Sequence, residues 1–174
     1  MKINLDEIPK DGLSLDLEEK GADLEKLAGG LGFIIASPVK AHLDVNTATG
    51  GVYLAGRLAT RLELTCDRCA STFERDVESS FHVFFVRGTE DKREKGLDMA
   101  DMEVNFIGDA EEVDTTEVLL AQVALEMPSK NLCRPDCKGL CPRCGADLNE
   151  GDCGCPREER IDPRLEKLKD FKLK

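Results

Sequence analysis

Hydrophobic and polar residues alternate with a period of two along residues 34–86. Because neighbouring side chains of a strand point to opposite sides, this alternation predicts antiparallel strands with one face on a core. Thr49-Gly50-Gly51 supplies one turn and Cys66-Asp67-Arg68-Cys69 another, so we expect three long strands. The apolar positions are Val39, Ala41, Leu43, Val45, Val52, Leu54, Leu58, Leu62, Leu64, Phe73, Val77, Phe81, Val83 and Phe85.

Shorter patterns on either side of this region predict three smaller elements. Leucines alternate with polar residues over residues 13–17, which indicates a short strand. Residues 22–28 are helix-like and stop at Gly29-Gly30. Residues 87–117 are acidic and sparsely apolar, which is typical of a loop, although residues 102–107 could add one short strand.

Two helices are predicted in the C-terminal half. Asp114-Thr115-Thr116-Glu117 is typical of a helix start, because its side-chain oxygens can accept from free backbone N–H groups. The many apolar positions that follow predict a helix over residues 115–127, largely buried against the sheet and ended by Pro128. The pattern over residues 162–172 predicts a short amphipathic helix, with Leu165, Leu168 and Phe171 on one side.

The cysteines point to metal binding. Six of the eight lie in one run, and the pairs Cys66-x2-Cys69 and Cys141-x2-Cys144 each place two thiols in a tight turn. Thiolates at this spacing are typical ligands of tetrahedral zinc, whereas disulfides are rare in reducing compartments. The predicted ligands are Cys66, Cys69, Cys133, Cys137, Cys141, Cys144, Cys153 and Cys155.

Eight thiols can complete two closed zinc sites, or one site with the other thiols free. In the two-site arrangement, a local set lies in the Cys-rich run and a long-range set ties this run to the sheet. The local set is Cys141, Cys144, Cys153 and Cys155, and the long-range set is Cys66, Cys69, Cys133 and Cys137. A site closed by four thiolates contributes folding energy and has no open coordination position for catalysis.

These patterns together predict an α+β fold. We expect an antiparallel, curved or barrel-like sheet with a packed helix and a C-terminal Cys-rich zinc module. Residues 1–130 would form the β-rich body with its covering helix, and residues 131–174 the zinc-binding module and the last helix. At 174 residues the two parts are expected to pack as one domain.

Charge is distributed unevenly along the chain. The formal net charge is −11; residues 1–127 contain 13 Lys/Arg and 26 Asp/Glu, whereas residues 128–174 contain 11 and 9. An acidic body repels phosphates, so contact with RNA or another partner is expected from the basic C-terminal side chains. These are Arg134, Lys138, Arg143, Arg164, Lys167, Lys169 and Lys172.

Neither a membrane protein nor an enzyme is expected. The longest apolar stretch, residues 31–36, is far shorter than the roughly 20 residues of a membrane-spanning helix, and no secretory pattern opens the chain, which favours the cytoplasm. The two histidines lie at polar strand positions, and no phosphate-binding loop is present, so we predict no small-molecule substrate. A thiol oxidoreductase is an alternative, although Cys66-x2-Cys69 lies between strands rather than in a βαβ unit.

The Cys-rich run contains a specific motif in a recognisable context. A β-rich half precedes a helix that ends in Ala124-Leu125-Glu126-Met127-Pro128. The motifs are Cys66-Asp67-Arg68-Cys69, Cys137-Lys138-Gly139-Leu140-Cys141-Pro142-Arg143-Cys144-Gly145 and Cys153-Gly154-Cys155. Their order resembles the YceD family, the large ribosomal RNA subunit accumulation proteins, over most of the chain.

This resemblance implies a non-enzymatic cytosolic factor in ribosome biogenesis that supports large-subunit (23S) rRNA synthesis, processing or accumulation. The implied partners are the precursor large ribosomal subunit, through a ribosomal protein, rRNA or both. The acidic body favours basic protein over bare RNA. A zinc-stapled adaptor or chaperone for a basic ribosomal protein, without direct rRNA contact, is therefore the alternative.

Overall fold

The protein has an α+β fold, as predicted, built from eight strands and two helices in the part of the chain that is described. The computed structural model describes residues 1–27, 30, 32–48, 51–86, 104–107 and 112–156. The strands are β1 (Lys2–Asn4), β2 (Leu13–Glu19), β3 (Ile34–Ile35), β4 (Val39–Ala48), β5 (Gly51–Thr65), β6 (Thr72–Val86), β7 (Val104–Phe106) and β8 (Glu112–Asp114). The helices are α1 (Gly21–Leu27) and α2 (Thr115–Leu125).

The three long strands predicted from the alternating pattern are β4, β5 and β6. β5 pairs antiparallel with β4 on one side and with β6 on the other, and its pairing with β6 is continuous from Gly51 to Thr65. Gly56 lies opposite Phe81 in this register. A Cβ atom at Gly56 would come within 2.6 Å of the Phe81 ring, so the close approach of that ring requires glycine there.

The main sheet is mostly antiparallel and open. Its strand order is β2-β4-β5-β6-β7, and β3 pairs with β5 beside this path. β7 runs parallel to β6, and β1 pairs with β8 in a separate small sheet. The described strand order ends at β2 and β7, so the sheet does not close into the barrel that we considered from the sequence.

Helix α2 packs on β6 and α1 and completes the core of the body. The Asp114 carboxylate caps it by accepting from the Thr116 N–H at 2.9 Å. Leu119 and Val123 are fully buried, whereas Leu125 at the last turn is 74% exposed. The helix therefore ends two residues before the predicted Met127, and its burial is limited to one face.

The C-terminal part follows α2 as loops without a described helix or strand element from residue 128 to residue 156. It packs on the end of the β5–β6 hairpin, where Phe73 contacts both the main core and a second cluster formed by buried cysteines. The predicted helix over residues 162–172 lies outside the described residues. The predicted strand over residues 102–107 corresponds to β7. In the described part, no helix is long and apolar enough to span a membrane.

Candidate metal centres

The first candidate metal centre joins the sheet to the C-terminal loops. Cys66 and Cys69 lie in the turn between β5 and β6, and Cys133 and Cys137 lie in the loops after α2. All four Sγ atoms lie within 4.8 Å of one another. The Sγ atoms of Cys66 and Cys137 are 3.8 Å apart, and those of Cys69 and Cys133 are 3.7 Å apart. We call these four residues the inner thiol group.

The second candidate centre lies entirely within the C-terminal loops. It consists of Cys141, Cys144, Cys153 and Cys155, whose Sγ atoms also lie within 4.8 Å of one another; we call it the outer thiol group. A β-bridge between Leu140 and Asp147 holds together the loop that carries Cys141 and Cys144. Cys144 is exposed, whereas three of the four inner cysteines are buried, so the outer group is the more accessible of the two.

The two Cys-x2-Cys turns have the same backbone geometry. The Ala70 N–H donates to the Cys66 carbonyl, and the Gly145 N–H donates to the Cys141 carbonyl, both at 2.9 Å. Ala70 and Gly145 both have a left-handed backbone, with φ of 57° and 74°. Each pair of thiols is thus presented by the same tight turn, one on the sheet and one in the loops.

Both groups have the donor chemistry of a tetrahedral metal site. Four thiolates around zinc, with Zn–S bonds of about 2.3 Å, have Sγ atoms separated by about 3.8 Å. The inner group shows Sγ separations of 3.8 and 3.7 Å, and all eight cysteines are free thiols. A disulfide would need an S–S distance of about 2.05 Å. The two groups of four could therefore each hold one metal ion.

Polar side chains that the sequence did not single out support the inner thiol group. The Ser71 Oγ lies 3.0 Å from the Cys69 Sγ, and the Asn149 Nδ2 donates to the Cys137 Sγ at 3.4 Å. The Arg68 guanidinium donates to the Cys137 carbonyl at 2.8 Å. Such contacts orient the ligands of a metal site. Arg68 lies within the Cys66-x2-Cys69 motif and Ser71 lies two residues after it, whereas Asn149 is far from both cysteines in the sequence.

Backbone contacts fasten the C-terminal loops to the β5–β6 turn independently of any metal. Asp67 and Asn131 exchange two hydrogen bonds: the Asp67 N–H donates to the Asn131 carbonyl at 2.8 Å, and the Asn131 N–H to the Asp67 carboxylate at 2.6 Å. The Leu140 N–H donates to the Arg68 carbonyl at 2.9 Å. Gly139 has a φ of 79°, and a Cβ there would lie 2.9 Å from the Arg68 carbonyl oxygen, so this approach requires glycine.

Each thiol group combines one thiol that ionises easily with one that resists ionisation. Backbone N–H groups, that of Cys133 above all, lower the pKa of Cys66 to about 6. The N–H of Cys144 likewise lowers the pKa of Cys141 to about 6. Burial and the neighbouring thiols raise the pKa of Cys133 to about 12, and a hydrogen bond that the Cys155 thiol donates to the Cys144 sulfur raises the pKa of Cys155 to about 12. Crowded thiolates repel one another, and a cation between them would relieve that repulsion.

The predicted basic contact residues are only partly within the described chain. Arg134 lies 3.6 Å from its neighbour Asp136 in an exposed ion pair, while Lys138 and Arg143 are exposed on the loop of the outer thiol group. The remaining four, Arg164, Lys167, Lys169 and Lys172, lie outside the described residues. Residues 128–156 contain four Lys/Arg and four Asp/Glu, so the basic excess of the C-terminal part comes from residues 157–174.

The fold and the two thiol groups define a class: an α+β protein whose Cys-rich C-terminal loops are tied to a β-hairpin through a four-thiol group. The family described as Large ribosomal RNA subunit accumulation protein YceD matches residues 54–172. The chain belongs to the YceD family. The family description names rRNA accumulation and no catalysed reaction. No solved structure matches the chain.

Similar curated proteins occur in mycobacteria and plants. An uncharacterized protein of Mycobacterium tuberculosis is 34% identical over 129 residues, which cover 72% of this chain and 58% of that protein. Large ribosomal RNA subunit accumulation protein YCED homolog 1, chloroplastic, is 26% identical in Arabidopsis thaliana, covering 71% of this chain and 46% of the homolog. The Zea mays protein of the same name is 29% identical, covering 82% and 58%. The chain thus spans about half the length of these relatives.

Proposed function

We propose that the inner and outer thiol groups each bind one structural Zn²⁺ ion. The proposal is supported by four thiols per group, by the Sγ separations of 3.7 and 3.8 Å, and by backbone turns that present them. Four thiolates complete the coordination shell of zinc, so neither ion would have an open position for substrate. The inner ion would bind the C-terminal loops to the β5–β6 turn, and the outer ion would hold the loops themselves together.

We further propose that the protein is a non-enzymatic factor in ribosome biogenesis that supports the accumulation of large-subunit (23S) rRNA. Membership of the YceD family is the observation that carries this proposal. The expected partner is the precursor large ribosomal subunit, engaged in the cytoplasm through a ribosomal protein, rRNA or both. The zinc-bound loops would present Arg134, Lys138 and Arg143 to it.

The acidity of the body supports a second candidate, an adaptor or chaperone for a basic ribosomal protein without direct rRNA contact. The chain has a formal net charge of −11, and its first 127 residues hold twice as many acidic as basic residues. Phosphates are repelled by such a body, whereas basic ribosomal proteins are attracted to it. In this case the chain would affect rRNA only indirectly, by delivering a basic ribosomal protein to the precursor subunit.

Depletion of the protein in the organism that encodes it tests the main proposal. We expect the ratio of large-subunit to small-subunit rRNA to fall and to recover when the wild-type chain is supplied. The double variant Cys66→Ser/Cys69→Ser, which cannot complete the inner group, should restore it poorly. An unchanged rRNA ratio on depletion would reject a role in rRNA accumulation.

Co-purification with and without ribonuclease separates the two candidates. A factor bound through rRNA should lose its ribosomal partners after ribonuclease treatment. An adaptor should retain one basic ribosomal protein, and its recovery should depend only modestly on the treatment. Metal analysis of the same anaerobically purified material should give about two zinc ions per chain.

A further inference from the structure

The outward face of the main sheet forms a broad trough that no described residue covers. The trough has a volume of about 800 Å³ and extends across β2, β4, β5 and β6. A smaller hollow of about 200 Å³ adjoins it and shares His42, Arg57 and Ser80 with it. The hollow surface arises because β5 and β6 present the short side chains of Ala55, Ala59 and Ser80 outward between longer ones.

Four of the charged side chains that line the trough have no ion-pair or hydrogen-bond partner within the described part of the protein. Glu18 on β2, Lys40 on β4, Arg57 on β5 and Glu78 on β6 all line it. None of these four side chains makes a hydrogen bond or an ion pair with a described residue. By contrast, His42 beside them is hydrogen bonded through its Nδ1 to the Asp16 carboxylate at 2.8 Å. The unpaired groups are available to a ligand.

Acidic groups predominate on this outward face. The carboxylates that alternate outward along the four strands are Asp16, Glu18, Asp44, Glu63, Glu74, Asp76 and Glu78, and the Lys/Arg side chains are Lys40, Arg57 and Arg61. Glu63 and Glu74 lie directly opposite each other in the register of β5 and β6. Arg61 already pairs with Glu74 at 3.5 Å and with Asp76 at 2.7 Å, whereas Glu63 makes no ion pair with a described residue. Glu63, held opposite a like charge, is therefore the carboxylate of this pair that is open to a further cation.

Aromatic and aliphatic groups stand exposed at the two ends of the face. At one end the Tyr53 ring stacks on His82, with ring centroids 6.2 Å apart, and Tyr53 is 39% exposed. At the other end Ile34 is 53% exposed opposite Glu63. The ten-residue step along β5 from Tyr53 to Glu63 corresponds to about 33 Å, the length of about ten extended residues.

The charge of this face selects between the two macromolecules that an extended trough could accept. A single-stranded RNA could stack on Tyr53, but its phosphates would meet an excess of carboxylates in a chain of net charge −11. A basic polypeptide would pair its side chains with Glu18, Glu63 and Glu78. It could also place a cation over the exposed aromatic ring. Charge complementarity therefore favours the polypeptide.

We propose that the outward face of β2, β4, β5 and β6 is the docking surface for an extended arginine- and lysine-rich polypeptide segment. This inference deepens the proposed function and rests on it for the biological source of the segment, a basic partner protein. The binding surface contains none of the eight cysteines. Peptide binding to it can be measured on the purified chain, without any assay of rRNA.

Tyr53 provides a direct probe of this surface. It is the one tyrosine of the chain, and the chain has no tryptophan, so intrinsic emission reports on this end of the outward face. The purified full chain would be titrated at low salt with a peptide of about ten residues in which arginine and glycine alternate, matched in length to the face. We expect saturable binding by calorimetry and a parallel change in Tyr53 emission.

Two charge-reversal variants separate docking on this face from diffuse attraction. Glu18→Lys/Glu78→Lys changes the trough, whereas Glu7→Lys/Glu150→Lys makes the same change in net charge at two exposed positions outside it. We expect the first to weaken peptide binding about tenfold or more, and the second by less than about threefold. Glu18→Gln/Glu78→Gln, with its milder change, tests the face if the reversal unfolds the chain.

The outcomes that overturn the proposal are distinct. Equal weakening by both reversals would show only a diffuse acidic field, and no peptide binding at low salt would reject the docking surface. Quenching of Tyr53 by an oligouridine of the same length, with no effect of the peptide, would make the face a nucleic-acid surface instead. Each of these results would leave the rRNA depletion experiment unaffected, so failure here is distinguishable from failure of the proposed function.

Discussion

Ala70 and Gly145 occupy equivalent positions in the two Cys-x2-Cys turns, although only one of them is a glycine. Both residues donate to the carbonyl of the first cysteine of the turn, and both have a left-handed backbone. An L residue with a Cβ atom is strained in this conformation by roughly 1–2 kcal/mol. The turn that carries Cys66 and Cys69 therefore stores strain that the turn of the outer thiol group avoids.

Exchange of the two residue types should have opposite effects. We expect Ala70→Gly to leave the free energy of unfolding unchanged or raise it by up to about 1 kcal/mol, because relief of strain outweighs the added freedom of the unfolded chain. Gly145→Ala should weaken the binding of zinc to the outer thiol group by about 1 kcal/mol. Chemical unfolding of Ala70→Gly and competition for zinc by a chelator in Gly145→Ala measure these effects. A destabilised Ala70→Gly would show that the left-handed backbone is not strained.

Residue spacing in the sequence was sufficient to suggest the grouping of the eight cysteines but not the contacts around them. The pairs separated by two residues are local, so their turns follow from sequence. Asn149 and Arg68 reach Cys137 only because the loops fold back on the β5–β6 turn. Polar residues of this kind are common in loops, and their function depends on long-range placement that no local pattern encodes.

At the scale of elements, α2 depends on the cap at its N-terminus. Although burial raises the pKa of Asp114, hydrogen bonds from Thr116 outweigh this and hold that pKa below its usual value. The carboxylate therefore stabilises the folded state above its unfolded pKa of about 3.9, and this stabilisation is lost as the pH falls through the folded pKa.

Replacement of Asp114 should separate the hydrogen bond of the cap from its charge. We expect Asp114→Ala to lower the free energy of unfolding by about 1 kcal/mol at neutral pH. Asp114→Asn, which retains a capping oxygen, should lower the free energy of unfolding by less. Its stability should also decline less steeply on acidification. Urea unfolding across the acid range measures both. An Asp114→Asn protein with the acid profile of wild type would assign the pH dependence to other groups.

Long elements could be predicted from the sequence, and very short ones could not. Alternation over ten or more residues identified β4, β5 and β6, and the apolar run with its cap identified α2. β1, β3 and β8 have only two or three residues each, too few to show a period, and they exist because a neighbouring strand offers pairing. The parallel pairing of β7 with β6 was equally beyond a sequence pattern, since it depends on the path of the chain between them.

At the scale of the whole molecule, the two thiol groups differ in what they connect. The inner group links positions far apart in the chain, as in the Cys69 and Cys133 pair separated by 64 residues. All members of the outer group lie in the C-terminal loops. Loss of the inner group therefore removes a connection between the sheet and the loops, whereas loss of the outer group acts first on the loops that carry it.

Cys69→Ser and Cys144→Ser should thus be unequal in their effects. Each should reduce the zinc content from about two ions to about one, because a closed site needs its four ligands. Cys69→Ser should also lower the thermal midpoint of the body, whereas Cys144→Ser should mainly increase amide exchange in residues 138–156. Metal analysis, calorimetry and hydrogen exchange provide the measurements. Unchanged zinc content in either variant would contradict the ligand assignment.

The long reach of the inner thiol group has a consequence for how the chain matures during translation. Cys66 and Cys69 leave the ribosome before Cys133, the first of their partners, which lies 64 positions after Cys69. At about 5–20 residues per second, the hairpin turn exposes two unpartnered thiols for roughly 3–13 seconds. The outer group, in contrast, is complete once the short stretch of chain from Cys141 to Cys155 has been synthesised. Because of this order of emergence, the thiols of the hairpin turn are exposed to oxidation, or to binding of another metal, for longer than the thiols of the outer group.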